Sequence, residues 1–176
     1  MSQVSMAYAQ GLLELAKEAD SVLSYKEEID QIKEVYLQNS ELKSFFASAK
    51  ISKDTKKELI EKAFKGKVKV NVLNFMKLLV DKGRMNLFLE IANDYHALSN
   101  VLLGIREGVV ETARPISEEE ITKLEKALSN DKTVVLKPRI NETLISGFKV
   151  IFDDEVIDHT MKDKLEGLKT VLLERK

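Results

Sequence analysis

Apolar residues recur every three or four positions through the first hundred residues, and then the pattern changes. Val22, Tyr25, Ile29, Ile32 and Tyr36 fall on one face of a helix, as do Phe88, Ile91, Ala92, Tyr95, Leu98 and Leu102. Leu59, Ile60, Ala63 and Phe64 mark a shorter helix, for which Ser52 is a suitable N-cap. Leu42, Phe45 and Phe46 predict one brief helix between Ser40 and Ile51. Gly66 and the pair Gly83-Arg84 stand where helices should stop. From Val4 to about Leu103 the chain therefore reads as six helices with short connections, which is a bundle.

The character shifts at Gly104. Ile105, Val109 and Val110 precede Thr112-Ala113-Arg114-Pro115, and their β-branched content predicts a strand ending at the proline. Ser117 followed by Glu120 is a capping box, with Ile116 and Ile121 placed to form a hydrophobic staple. Ile121, Leu124 and Leu128 give the helix that follows its apolar face. Thr133 to Leu136 predicts another strand, with Pro138 near its edge. Phe148, Val150 and Phe152 alternate with Lys149 and Ile151, and Asp153-Asp154 offers a turn before Val156-Ile157. A final helix carries Met161, Leu165, Leu168 and Leu172 on one side. The expected fold is mainly α: an N-terminal six-helix bundle over residues 1–104, then a small α/β C-terminal domain over residues 105–176.

Composition narrows the possibilities. A chain of 176 residues suits one domain or two small ones, and an apolar fraction of 44% supplies a core. Charged residues make up 32%, yet the net charge is only −1, so no basic excess draws the chain to nucleic acid or an anionic membrane. The absence of cysteine removes disulfides and thiolate metal sites. The longest apolar-rich stretch, Val68 to Val80, is interrupted by Lys69, Asn71, Asn74 and Lys77 and falls short of the ~20 residues a spanning helix needs. Met1 to Tyr8 lacks the basic-then-apolar pattern of a signal peptide, so a soluble chain is expected.

Catalytic chemistry finds little to work with. His96 and His159 have no serine or cysteine partner suggestive of nucleophilic catalysis, and both read as structural or surface residues. Asp153, Asp154, Glu155 and Asp158 lack the spacing of a calcium loop and read as a solvated turn. No glycine-rich phosphate loop is present. No catalytic residue, cofactor or metal is expected.

The informative anomalies are apolar. Between Val4 and Ala19 the apolar arc covers about half the helix, wider than the ~100° stripe that a single core contact requires. Tyr8, Leu12 and Leu15 lie toward one side of it, Met6 and Leu13 toward the other. Between Asn71 and Lys82 the polar face holds Asn71, Asn74, Asp81 and Lys82, with Leu78 in its middle. Either both helices are buried on two sides, or together they form a groove for a partner's amphipathic helix. The last helix poses the same choice between core and partner.

Four segments resemble one family in the same order along the chain. They are Ala7-Tyr8-Ala9-Gln10-Gly11-Leu12-Leu13-Glu14-Leu15-Ala16, then Asn74-Phe75-Met76-Lys77-Leu78-Leu79-Val80-Asp81-Lys82-Gly83-Arg84, then Val110-Glu111-Thr112-Ala113-Arg114-Pro115-Ile116-Ser117, and lastly Ile140 to Phe152 with Val156-Ile157-Asp158-His159-Thr160. Together they resemble the delta subunits of F-type ATP synthases, whose mitochondrial counterpart is the oligomycin-sensitivity conferring protein. Ser146-Gly147 stands where the family often has two glycines, and His159-Thr160 where it often has a small residue and serine.

The resemblance implies a non-catalytic stator adaptor on the cytoplasmic face of the cell membrane, peripheral, with no nucleic acid and no membrane insertion. It implies that the N-terminal helix of one alpha subunit is taken up between the first and fifth helices. The matched contacts are Tyr8, Gly11, Leu12, Leu15, Asn74 and Leu78. It further implies contact with the C-terminal ends of the b subunits, for which Met161, Leu165 and Leu168 are the candidates. Without the resemblance, a generic helix-binding adaptor of another complex or a nucleic-acid-binding helical bundle stays open.

Overall fold

Helices form where the spacing of apolar side chains places them, and local signals in the chain set several of their ends. The computed structural model describes residues 2–144, 146–153 and 155–160. The helices are α1 (Gln3–Glu18), α2 (Val22–Gln38), α3 (Ser40–Ala47), α4 (Lys53–Phe64), α5 (Val70–Asp81) and α6 (Phe88–Leu103), with a 3-10 turn at Met85–Leu87. The expected final helix, with Met161, Leu165, Leu168 and Leu172, lies outside the described residues. Ser2 and Ser52 cap α1 and α4, each accepting a backbone N–H with its hydroxyl oxygen. Such a cap contributes about 1 kcal/mol.

The end of α5 is a Schellman turn. Gly83 takes φ of +66°, its N–H donates to the Val80 carbonyl at 3.0 Å, and the Arg84 N–H donates to the Leu79 carbonyl at 2.7 Å. Only glycine enters that conformation without strain. The turn therefore fixes where the backbone of Arg84 leaves the helix.

The chain divides into two compact units, Met1–Leu103 and Gly104–Lys176. The core of the first is built on α6, against which both α1 and α2 pack. Phe88, Ile91, Ala92 and Tyr95 of α6 are at most 1% exposed. They meet a core to which α1 supplies Ala9, Leu12, Leu13 and Ala16, and α2 supplies Tyr25, Ile29, Ile32 and Tyr36. Polar pins accompany the packing. The Ser5 hydroxyl donates to the buried Asp94 carboxylate at 2.6 Å, and the Ser2 N–H donates to Glu90 at 2.6 Å. Leu102 departs from its expected place on the apolar face. Ser99 is the last buried position of α6, and Val101, Leu102 and Leu103 beyond it are 82%, 48% and 37% exposed.

In the second unit, β1 (Ile105–Thr112), α7 (Glu118–Leu128) and β2 (Thr133–Ile140) form a βαβ unit, so β1 and β2 run parallel. β3 (Gly147–Ile151) pairs antiparallel with β1, and β4 (Val156–Thr160) with β3, giving the order β2-β1-β3-β4. β1 stops at Thr112, short of Pro115, and β2 runs on to Ile140, past the expected end at Leu136. Pro138 is tolerated inside β2 because that strand lies at the sheet's edge, where one side needs no ladder partner. The Ser117–Glu120 capping box forms, and it holds the Glu120 carboxyl below its ordinary range through the Ser117 N–H and hydroxyl. Val110, Val134, Leu136, Val150 and Phe152 make the core, covered by Ile121, Leu124 and Leu128 of α7.

Two positions in this unit make sharp predictions. At Gly108 an added Cβ would lie 2.8 Å from the buried Phe152 ring and 3.1 Å from the Ile151 carbonyl. Arg106 stacks on that ring at 3.9 Å, so the ring has little room to yield. Gly108→Ala should therefore destabilise the second unit by about 1–3 kcal/mol, read as a lower urea midpoint by NMR. An unchanged midpoint would show that the ring relaxes freely.

Glu111 is the second position. It accepts from Asn141 Nδ2 at 2.9 Å and from Arg139 Nε at 2.9 Å, and Asn141 first and Arg139 second hold its carboxyl below the ordinary 4.5. A carboxyl lowered by folding stabilises the fold above its unfolded pKa, and that contribution is lost as pH falls through the folded value. Second-unit stability should thus drop as pH is taken below about 4.5, and Glu111→Gln should flatten that drop. Equal acid sensitivity in the variant would contradict the assignment.

Candidate functional site

The site is the seam between α1 and α5, and aromatic packing brings the two helices together. The Tyr8 ring meets Phe75 edge-on, with centroids 6.2 Å apart and planes at 70°. Arg84 closes the same contact from the turn after α5. Its Nη1 donates to the Tyr8 oxygen at 2.9 Å, and its guanidinium lies 5.4 Å from the ring centroid. A cation over an aromatic face adds about 0.5–1 kcal/mol at an exposed site.

Along α1 this clamp is flanked by an exposed leucine and an exposed glycine. Leu15 is 41% exposed, and Tyr8 is half-buried. Gly11 is exposed, and a Cβ built there would meet nothing within 4 Å. A glycine inside a helix costs about 1 kcal/mol relative to alanine, and nothing within the described residues requires it here. The position leaves the α1 backbone open to close approach by another chain.

On α5, Leu78 is 42% exposed among exposed Asn74, Asp81 and Lys82, as the odd placement of a leucine on a polar face predicts. The opposite side of α5 is spent inward, with Val72, Leu73, Phe75, Met76, Leu79 and Val80 buried. Neighbouring polar contacts hold the helix in place. Asn71 donates to the Tyr25 hydroxyl at 2.9 Å, and Lys53 donates to the Asp81 carbonyl at 2.7 Å. Lys57 pairs with Asp81 at 3.0 Å and Asp54 at 3.2 Å, and these carboxylates raise its pKa, Asp81 first. Lys77 pairs with Glu61, whose carboxyl it lowers.

Five of the six expected contacts, Tyr8, Gly11, Leu15, Asn74 and Leu78, are at least partly accessible. Leu12 departs from the expectation. At 1% exposure it belongs to the core, because the wide apolar arc of α1 turns Leu12 inward beside Ala9 and Ala16. Arg84 and Phe75 complete the seam without having been expected as site residues, since their contacts with Tyr8 join residues far apart in the chain. Met161, Leu165 and Leu168 lie outside the described residues.

The remaining candidates are occupied structurally. His96 Nδ1 pairs with Asp30 at 2.8 Å, tying α6 to α2. His159 stands in β4, its ring 5.2 Å from that of Phe148. Among the described residues no group of three or more His, Cys, Asp or Glu is placed to hold a metal ion.

Comparison with known proteins bears on this geometry. The family model described as ATP synthase delta (OSCP) subunit matches residues 4–172. The ATP synthase subunit delta of Acetivibrio thermocellus is 32% identical, covering 99% of this chain and 100% of its own length. That of Bacillus pumilus is also 32% identical, covering 96% and 94%. A chain in the Toxoplasma gondii mitochondrial ATP synthase hexamer shares the fold, with a TM-score of 0.68 over 98% of both chains at 18% identity. With a family match over nearly its full length and relatives that it covers end to end, the chain belongs to the ATP synthase delta (OSCP) subunit family.

Proposed function

We propose that this chain is the non-catalytic stator adaptor of an F-type ATP synthase, linking the alpha/beta catalytic head to the b-subunit peripheral stalk. The observation that carries the reading is a leucine left 41% exposed on α1 (Leu15) and another left 42% exposed on α5 (Leu78), on two helices joined through Tyr8 and Phe75 in a chain of this family. Its occupant is the N-terminal helix of an alpha subunit. Tyr8, Gly11, Leu15, Asn74 and Leu78 make the contacts, and Leu12 supports them from the core. The second unit, with Met161, Leu165 and Leu168, serves the C-terminal ends of the b subunits. No helix among the described residues is long and apolar enough to cross a membrane. Attachment at the cytoplasmic face of the cell membrane then runs through the complex.

The task is mechanical. Torque on the central shaft acts on the head, and synthesis requires that the head be held still. Two tight contacts meet that need without an active site. A nanomolar contact corresponds to about 12 kcal/mol. Completing the burial of Leu15 and Leu78 contributes roughly 1 kcal/mol each, since full burial of a leucine is worth about 1.5–3 kcal/mol. The groove must therefore engage a helix along several turns, with the remaining affinity coming from the rest of the interface.

Leu78→Asp should cost the free chain only about 1–2 kcal/mol, the part of a leucine's burial that 42% exposure leaves to lose, so the first unit stays folded. It should weaken binding of a synthetic peptide of the cognate alpha N-terminal segment by at least about a hundredfold, since docking would bury an unpaired charge. Unchanged affinity in a calorimetric titration would sink the groove reading. Gly11→Ala should act in opposite directions on the two quantities. It raises the stability of the free chain by about 1 kcal/mol through helix propensity and reduces peptide affinity by holding the partner off α1. A variant that is stabilised and binds as well as wild type would mean that no backbone approaches at Gly11.

A further inference from the structure

Arg84 is held more firmly than an exposed arginine usually is. The Schellman turn sets its backbone, the Tyr8 ring lies under its guanidinium at 5.4 Å, and one N–H reaches the Tyr8 oxygen at 2.9 Å. That bond uses one of five guanidinium donors. Among the described residues Arg84 has no carboxylate partner, whereas Arg106 and Arg139 pair with Glu155 and Glu111. Tyr8 is in the same condition. Its oxygen accepts from Arg84, and its own O–H has no acceptor among the described residues. The seam thus carries, besides the exposed Leu15 and Leu78, a held cation and a hydroxyl donor with capacity to spare.

The geometry points to Arg84 and Tyr8 as the specificity-determining pair of the α1–α5 groove, receiving a carboxylate side chain of the incoming helix. The inference rests on the groove reading above and deepens it by giving the partner a required chemistry and a register. Arginine suits this role because its planar fork binds a carboxylate through two parallel N–H donors, which a lysine cannot do. The bond to the Tyr8 oxygen, with the ring nearby, orients the fork before binding, so less conformational freedom is lost on docking. Tyr8 and Leu15 stand seven residues apart on α1, about 10 Å along the axis. An acidic residue of the partner at the clamp therefore lies about two turns from the apolar residue that meets Leu15. A helix slipped by one turn places an apolar group against the guanidinium and leaves the carboxylate without it.

A double-mutant cycle on the full chain tests this. The probes are the synthetic N-terminal peptide of the cognate alpha subunit and versions in which each Glu or Asp is changed singly to Gln or Asn. Affinity is measured at low and high sodium chloride. Arg84→Gln should weaken binding of the parent peptide about tenfold or more, and Arg84→Lys should recover only part of the loss. One single amide substitution in the peptide should reproduce the loss, and against that peptide Arg84→Gln should have no further effect. The salt dependence of binding should shrink in the variant.

Because the peptide substitutions leave the protein intact, they separate recognition from any damage to the fold. Equal loss from Arg84→Gln against every peptide would overturn the proposal and make Arg84 a staple between α1 and α5, or a contact to backbone carbonyls at the partner helix's end. No loss from Arg84→Gln would overturn it as well, with the groove reading intact. Failure of the wild-type chain to bind the parent peptide would remove the groove reading itself.

Discussion

The first unit depends on the burial of α6. Phe88, Ile91, Ala92 and Tyr95 are almost fully withdrawn from water, and α1 and α2 both pack against that helix. A helix covered from two sides commits its neighbours. α1 must give Ala9, Leu12, Leu13 and Ala16 to the core, and the Ser5–Asp94 bond pins its first turn to α6. A hydrogen bond to a buried carboxylate is among the stronger polar contacts, and its loss leaves a charge without a partner. With that side of α1 spent, the rest of its wide apolar arc has nowhere inside to go. Leu15 remains outward, and Leu78 on α5 does the same.

Much of this was legible in the chain. Three- and four-residue spacing located the helices, Ser52 capped α4, Gly83 ended α5, and Ser117 with Glu120 opened α7 as a capping box. These are local signals, carried by residues within a turn of one another. The presence of surplus apolar surface on α1 and α5 was legible too, because an arc wider than one contact must do something else. Which leucine of α1 faced out was not legible. Leu12 and Leu15 lie on the same stripe, and only the position of α6 decides that Leu12 is core. Leu102 fits the periodicity of α6 yet lies beyond the last buried turn, which no periodicity can announce. β2 outran its apolar stretch because backbone pairing with β1 continues through Lys137, Pro138 and Arg139, whatever their polarity. The Tyr8–Arg84 contact depends on tertiary placement alone.

An adaptor needs firm surfaces more than it needs chemistry. The seam has this character. Phe75 and Arg84 both contact Tyr8, Asn71 is bonded to Tyr25, and Asp81 is held by Lys53 and Lys57 of α4. Each exposed polar contact contributes little alone. Acting together, they limit how far α1 and α5 can shift when load is applied. The groove proposed at this seam would, so held, lose less freedom when a helix docks, which favours affinity from a modest apolar area.

The most direct test of the central claim is methyl NMR of the full chain, labelled at leucine, titrated with the cognate alpha N-terminal peptide. The Leu15 and Leu78 methyls should shift in a saturable manner and show cross-relaxation to the peptide, while the buried Leu12 methyls should make no direct contact with it. Saturable binding with Leu15 and Leu78 unmoved and contacts elsewhere on the chain would contradict the claim.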